Sequence, residues 1–551
     1  MSNISILQEA RAKYSPKLPK ALQNGANVGV VVGNSTTAEG DAEKIAELFK
    51  ATYGAPELTF TDGSDASTEV INVGVILSGG QAPGGHNVIA GIFDGMKSLN
   101  ENNKVYGFLG GPGGYVDNDY IELTSDIIDE YRNTGGFDII GSGRTKLESK
   151  EQFDIGKENC EKLNIKSVVI IGGDDSNTNA ALLAEYYAAN DVDISVIGCP
   201  KTIDGDLKNE KIETSFGFDT ATKVYSELIG NIQRDANSAK KYWHFIKLMG
   251  RSASHIGLEC ALKTQPNICI ISEEVEAKKQ TLDQIVSELA DVIAARAENK
   301  ENFGVALIPE GLVEFVPEMK ILISELNDLL AHEGDAFNAL ETEDEKRAFL
   351  IEKLSEVSSK VYSSLPELIQ NQLMLDRDPH GNVQVSLIET EKLLIQMVAK
   401  KLEEMKKDGK FVGKFGAQNH FFGYEGRCAA PSNFDADYTY SLGYNAAALI
   451  ALGKTGYMSS VQNLTSPADE WICGGVPVTM MMNVERRHGE DKPVIKKALT
   501  ELDGGPFKEF ESKREKWAIE TSYVYPGPIQ YWGPSEVCDI TTETLKLEQA
   551  K

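Results

Sequence analysis

Between residues 70 and 320 the apolar positions fall in short runs that stop at glycine and give way to stretches with helical spacing. The tips of these runs are Leu77-Ser78-Gly79-Gly80, Phe108-Leu109-Gly110-Gly111, Ile140-Gly141-Ser142-Gly143-Arg144, Gly172-Gly173-Asp174, Gly198-Cys199-Pro200, Leu248-Met249-Gly250-Arg251 and Ile308-Pro309-Glu310-Gly311. A β-branched apolar run bounded by glycine reads as a buried strand. Strands alternating with helices predict a mostly parallel sheet covered on both faces. The number of strands favours two such sheets, so the expected fold class is α/β: two Rossmann-like, doubly wound domains facing a cleft.

Residues 1–69 read as an N-terminal extension, in which Val28–Val32 adds a strand and Ala42–Phe49 a short helix. One α/β domain is expected over 70–215, with a later segment near 430–480 returning to it. A second is expected over 216–317, continuing near 406–430. From 318 to 405 glycine becomes rare while Leu, Glu and Lys recur at helical spacing, as in Glu345–Leu365 and Ile388–Met405. This is expected to be a helical insertion, structural in role because it has no glycine-rich acidic tip. Residues 481–551 form a C-terminal segment.

The chain has 551 residues, more than one ordinary core accommodates. No apolar run reaches membrane-spanning length, and Met1-Ser2-Asn3-Ile4-Ser5 lacks the basic and apolar regions of a signal peptide. Cysteines at 160, 199, 260, 269, 428, 473 and 538 are scattered, with no CxxC pair. That points to a reducing cytoplasm and away from disulfides or a zinc site. A net charge of −28 disfavours nucleic acid and anionic membranes as partners. Small polyanions stay open wherever Arg and Lys gather beside glycine.

Several tips carry chemistry. Gly79-Gly80-Gln81-Ala82-Pro83-Gly84-Gly85-His86-Asn87 lies between a strand and the helical Val88–Leu99, where backbone N–H groups can face an anion. It lacks the Gly-Lys-Ser/Thr ending of a Walker loop and does not match GxGxxG, which argues against a dinucleotide enzyme. A tight turn is the simpler alternative. Gly172-Gly173-Asp174-Asp175-Ser176-Asn177 opens the helix Thr178–Asn190. One Asp or Ser there would be an N-cap. Adjacent carboxylates exceed what capping needs and suit magnesium bridging to phosphate; taken alone, the motif reads equally as cap and as metal site.

Lys201-Thr202-Ile203-Asp204-Gly205-Asp206 follows the next strand with an ammonium, a hydroxyl and two carboxylates. A carboxylate at a substrate hydroxyl can accept its proton as the oxygen attacks phosphorus. An Asp-Gly turn accounts for one of the Asp residues but not for Lys201. Met249-Gly250-Arg251 is expected to begin a helix and offers a planar donor fork for sugar or phosphate oxygens. Glu310 and Gly423-Tyr424-Glu425-Gly426-Arg427 are weaker signals of the same kind. Arg144, at the tip of Asp138–Ser142, is suited to charge on a transferring phosphoryl group. His86, His255 and His420 read as packing or hydrogen-bonding residues.

Taken together and in order, GGxxPGGHN, GSGRTK, GGDDSN, PKTIDGD, MGRSASH, PEG and GYEGR resemble the 6-phosphofructokinase superfamily, and within it the pyrophosphate-dependent, long-chain branch. The resemblance covers residues 70–480, and the extension and insertion also fit that branch. It implies Mg²⁺-dependent, reversible phosphoryl transfer from pyrophosphate to the 1-hydroxyl of fructose 6-phosphate, a step of glycolysis or gluconeogenesis. By the resemblance, Gly80 and its loop contact pyrophosphate, Asp174 holds magnesium and Asp204 is the base. Arg144 braces the transferred group, with Lys201, Thr202 and Asp206 completing the catalytic set. Met249, Gly250, Arg251, Glu310, Tyr424 and Arg427 bind the sugar phosphate, as do Thr202 and Asp204. Lys241-Tyr242 would complete a neighbouring subunit's site, which implies a homodimer or larger oligomer.

ATP-using relatives carry Gly-Gly-Asp-Gly-Ser and Pro-Gly-Thr-Ile-Asp at two of these tips. Here Asp175 and Lys201 replace the variable glycines, adding a carboxylate where a third phosphate would lie and an ammonium that holds the end of a short donor. The rival expectations are an ATP-dependent phosphofructokinase and a non-catalytic regulatory paralogue. Asp175 and Lys201 speak against the first. The presence of Asp174, Asp204, Arg144, Lys201 and Arg251 speaks against the second.

Overall fold

A computed structural model describes residues 6–375, 383, 387–487, 490–528, 535 and 539–550. Met1–Ser5 and Cys538 lie outside the described residues. The chain forms two compact units. The first takes residues 1–224, 424–498 and 529–546, so the expected N-terminal extension lies wholly inside it. The second takes residues 225–423, 499–528 and 547–551.

In chain order the strands are β1 (Gly29–Ser35), β2 (Pro56–Thr61), β3 (Asn72–Leu77), β4 (Val105–Phe108), β5 (Tyr120–Leu123), β6 (Ile165–Gly172) and β7 (Ser195–Thr202). They continue with β8 (Phe216–Gly217), β9 (Trp243–Leu248), β10 (Ile268–Cys269), β11 (Gly304–Pro309), β12 (Ala417–Phe422), β13 (Tyr457–Gln462) and β14 (Ile472–Pro477), and end with the antiparallel pair β15 (Met482–Arg487) and β16 (Glu490–Ile495).

The sheet of the first unit has the order β1-β2-β14-β13-β7-β6-β3-β4-β5, with β8 against β7. The pairs from β13 through β7, β6 and β3 to β4 are parallel. The β4–β5, β13–β14, β14–β2 and β2–β1 pairs are antiparallel. Helices on both faces bury the central strands: all of β3 and β4 is buried, and in β6 only Lys166 is exposed. The sequence showed these strands as unbroken apolar runs for that reason. The chain lays β4 on one side of β3 and later returns to lay β6 on the other. Strand order therefore reverses between β3 and β6, the position where open α/β sheets bind ligands beyond their carboxyl ends.

The helix Gly85–Leu99 packs on the helix Asn433–Ala451, in which every residue but Tyr440 is buried. Glycine permits the approach. A Cβ on Gly91 would overlap the Tyr440 carbonyl, and one on Gly443 the Val88 carbonyl.

The sheet of the second unit has the order β10-β11-β9-β12 and is parallel throughout. The 318–405 stretch supplies the helices Pro317–Asn338, Glu343–Lys353, Glu356–Ser364, Glu367–Leu373 and Thr390–Lys407. The expected single helix over Glu345–Leu365 is two, divided at Leu354-Ser355, where Ser355 Oγ accepts from the Ser358 N–H at 3.2 Å and starts the second. These helices share one core with the sheet. Leu322, Tyr362, Ile369, Leu394 and Val398 belong to the same buried cluster as Trp243, Leu289 and Ile308. Among the described residues no helix is long and apolar enough to cross a membrane.

A buried ion pair ties this insertion to β9. Lys247 Nζ lies 3.6 Å from Glu391 Oε2, donates to the Ile388 carbonyl at 3.0 Å and sits 4.4 Å above the Phe421 ring. Both side chains of the pair are 3% exposed. Burial pushes the Glu391 carboxyl upward, against the pull of Lys247. Removing one member strands the other, so Glu391→Ala is expected to destabilise the second unit by about 3 kcal/mol in urea unfolding. The apolar pair Lys247→Met with Glu391→Leu is expected to recover most of that loss.

Candidate active site

The first unit gathers its chemistry at the carboxyl ends of β3, β6 and β7. The helix Asp174–Ala189 begins directly after β6, so Asp174 and Asp175 both fall in its first turn, four residues earlier than the expected Thr178 start. Lys201 and Thr202 are the last residues of β7. Thr202 Oγ1 accepts from the Asp204 N–H at 3.1 Å, which folds the Asp-Gly turn back over the strand end. The Asp206 carbonyl accepts from the Ala498 N–H at 2.8 Å.

Lys201 is 4% exposed, with its ammonium against the glycine tips of the neighbouring strands. A Cβ on Gly79 would stand 3.4 Å from Lys201 Nζ, and one on Gly173 would stand 3.9 Å from it. None of the hydrogen bonds or ion pairs among the described residues engages this ammonium. Burial pushes its pKa down to about 8, helped by the positive charge of Arg427 and opposed by Asp204, Asp174 and Asp206. Burial and the charges of Asp204 and Asp174 in turn hold the Asp206 carboxyl well above the usual carboxylate range. Lys497 offsets part of that negative charge, with its Nζ 3.5 Å from Asp174 Oδ2.

The Arg427 side chain lies on the glycine loop after β3. Its Nε donates to the Gln81 carbonyl at 2.7 Å, and a Cβ on Gly80 would overlap its guanidinium. Tyr424, in the same short helix Tyr424–Arg427, is 64% exposed. Arg144 is exposed and follows the Ser78–Gly143 bridge. The expected strand over Asp138–Ser142 is a loop held by Gly110 N–H to Ile140 carbonyl and Gly79 N–H to Gly143 carbonyl bonds, each 2.9 Å. It crosses the carboxyl ends of β3 and β4 with a single bridge, Ser78–Gly143, and Gly141 turns the chain at φ 68°.

In the second unit Met249, Gly250 and Arg251 follow β9, and Glu310 follows the adjacent β11. The helix expected to begin at Met249 starts at His255, after a loop. Glu310 is buried, and its Oε2 accepts from the Gly250 N–H at 2.9 Å, so the carboxylate fixes the Met249–Arg251 turn. Lys241 and Tyr242 precede β9, at the opposite end of that strand from Met249–Arg251. Lys241 Nζ lies 4.9 Å from the centre of the Tyr242 ring.

Two contributors carried no signal in periodicity. Asn177, the last residue of the GGDDSN motif, has Nδ2 at 2.6, 3.0 and 3.3 Å from the carbonyls of Gly172, Gly173 and Cys199. It locks the tips of β6 and β7 together. Lys497 arrives from a distant segment with no motif around it. The histidines hold packing roles: His86 Nδ1 lies 2.7 Å from Thr134 Oγ1 and its Nε2 3.3 Å from Asp138, while His420 Nε2 lies 3.0 Å from His244 Nδ1. Among the described residues no group of three or more His, Cys, Asp or Glu side chains could hold a metal ion.

The phosphofructokinase family model matches residues 72–450. The pyrophosphate–fructose 6-phosphate 1-phosphotransferase of Porphyromonas gingivalis is 60% identical, over 99% of this chain and 99% of that protein. The protein of the same name from Treponema pallidum is 56% identical over 99% of this chain and 97% of its own. The crystal structure of a pyrophosphate-dependent phosphofructokinase from Nitrosospira multiformis aligns with a TM-score of 0.54 at 14% identity. That alignment covers 86% of this chain and 97% of the other, and it is a likeness of fold.

Asn177→Ala is expected to cost about 1–3 kcal/mol, because buried carbonyls lose their donor. Urea unfolding of the first unit checks this.

Proposed function

The chain belongs to the phosphofructokinase family, and from that membership and the donor-side geometry we propose that it transfers a phosphoryl group from pyrophosphate to fructose 6-phosphate. The observation that carries the reading is the Lys201 ammonium, buried against Gly79 and Gly173 without a partner among the described residues. Burial penalises a charge of this kind, and an anion that joins it offsets the penalty. An ammonium in that position would hold the end of a two-phosphate donor, at the place where ATP-using relatives keep a glycine. Asp175, exposed in the first turn of the helix after β6, would add a carboxylate that repels a third phosphate.

Phosphoryl transfer needs positioning and charge neutralisation more than covalent chemistry from the protein. The Gly80 loop turns backbone N–H groups to the donor. Asp204 accepts the proton of the sugar 1-hydroxyl as that oxygen attacks phosphorus, with Thr202 fixing the turn beneath it and Asp206 behind it. Arg144 braces the transferred group, and phosphate leaves toward Lys201. Met249, Gly250, Arg251 and Glu310 in the second unit are assigned to the sugar phosphate, as are Tyr424 and Arg427 in the first.

The donor set fits magnesium. That ion prefers one or two carboxylates with phosphate oxygens and water, and Asp174 lies near Asp206, whose carboxyl is raised by burial and then by the charges of Asp204 and Asp174. Asp174 would hold it, and when bound it neutralises the donor phosphates. Because one phosphoanhydride is exchanged for a phosphate ester, the step is reversible and serves glycolysis or gluconeogenesis. The position of Lys241-Tyr242, at the far end of β9 from Met249–Arg251, supports their use by a neighbouring subunit in a homodimer or larger assembly. The cysteines among the described residues are free, in keeping with a cytoplasmic location.

Purified protein with fructose 6-phosphate and Mg²⁺ is expected to form fructose 1,6-bisphosphate with pyrophosphate and not with ATP. A chelator is expected to abolish turnover. Product formed with ATP alone would overturn the donor assignment. Silence with both donors would favour the regulatory paralogue. Asp204→Asn is expected to lower kcat about 10²–10⁴-fold, the range for loss of a general base, with KM for the sugar phosphate little changed.

A further inference from the structure

The loop that would receive the donor is glycine-rich, and glycine leaves the direction of its own N–H groups poorly defined. Something must hold it. On one side the Gly79 N–H is tied to the Gly143 carbonyl at 2.9 Å. On the other, the chain returns after 346 residues to place a guanidinium over the loop: Arg427 Nε donates to the Gln81 carbonyl at 2.7 Å. Gly80 has no Cβ where that guanidinium lies, since one would come within 2.7 Å of Arg427 Cζ. The Arg427 backbone is held in turn. The Cys428 N–H bonds to the Tyr424 carbonyl at 2.9 Å, and a Cβ on Gly135 would overlap the Ala429 carbonyl.

We propose that Arg427 is a positioning residue for the donor: it holds the Gly79–Gln81 loop in the shape that binds pyrophosphate, whatever contact it also makes with sugar phosphate. The inference rests on the reaction assigned above. Absence of Gly80's side chain then serves two ends, admitting the anion on one face and the guanidinium on the other. Lysine cannot substitute, because a point charge lacks the planar fork that reaches the Gln81 carbonyl while lying flat on Gly80. Arg427 also brings a second positive charge to the Lys201 ammonium, the largest influence on it after burial. Two cations that act on the same loop favour an anion there more than either does alone.

The test is Mg-pyrophosphate binding to the full-length protein by calorimetry in the absence of sugar phosphate, for the wild type, Arg427→Met and Arg427→Lys. Both variants are expected to bind pyrophosphate about tenfold more weakly or worse, the loss of one charge-assisted hydrogen bond. In steady state, KM for pyrophosphate is expected to rise at saturating fructose 6-phosphate. Unchanged pyrophosphate affinity in both variants, with a raised KM for the sugar phosphate alone, would overturn the proposal and leave the reaction intact. Failure of the wild type to bind Mg-pyrophosphate would overturn the proposal together with the reaction. Arg427→Lys keeps the charge and the stem, so it guards against a variant that loses its fold, which far-UV circular dichroism checks.

Discussion

Sinking the Lys201 ammonium among the tips of β3, β6 and β7 commits the first unit to a positive charge that water scarcely reaches. Much of the surrounding arrangement follows from that commitment. Asp174, Asp204 and Asp206 stand close enough to moderate the charge without pairing to it. Burial, with the charges of Asp204 and Asp174, lifts the Asp206 carboxyl, and Lys497 comes from a distant segment to oppose them. The crosslink between the two strand tips is the neutral amide of Asn177, which adds no further charge to a site already dense with it. The glycines at 79 and 173 are where the ammonium lies against backbone.

The readable parts of the sequence were those where chemistry is local. Buried parallel strands appear as unbroken apolar runs because both faces are covered, so β3, β6, β7, β9 and β11 were visible with their tips. Asp174, Asp175, Lys201 and Asp204 were visible because each sits within a few residues of such a tip. Long-range placement was not readable. Arg427 lies in a motif assigned to sugar phosphate, yet its side chain rests on a loop 346 residues away, a relation that no period or spacing encodes. The stretch before Arg144 looked like a strand because Ile139 and Ile140 are apolar, but they are buried in a loop that crosses the edge of the site. Helix starts moved for a related reason. Whether a first turn begins at Asp174 or at Thr178 depends on where the sheet ends.

The helical insertion repeats the theme of distant elements sharing one environment. Its amphipathic pattern was plain, but an apolar face does not say what covers it. In the structure that face closes the same core as β9 and β11, and Glu391 reaches the lysine that lies two residues before Met249. The insertion thereby supports the strand that carries the Met249–Arg251 turn. Glu310 braces the same turn from the neighbouring strand.

Because the first unit is assembled from separated stretches, the order of synthesis and the order of folding diverge. The helix Gly85–Leu99 is made early, but the helix that covers its glycine-lined face, Asn433–Ala451, leaves the ribosome more than 300 residues later. The buried cluster of the second unit lies entirely within residues 243–411, so it can close while the first unit still waits for β13 and β14. A growing chain therefore carries an open sheet edge at β7 from the time Thr202 is made until Tyr457 follows, the kind of exposed edge and apolar face that holdase chaperones recognise.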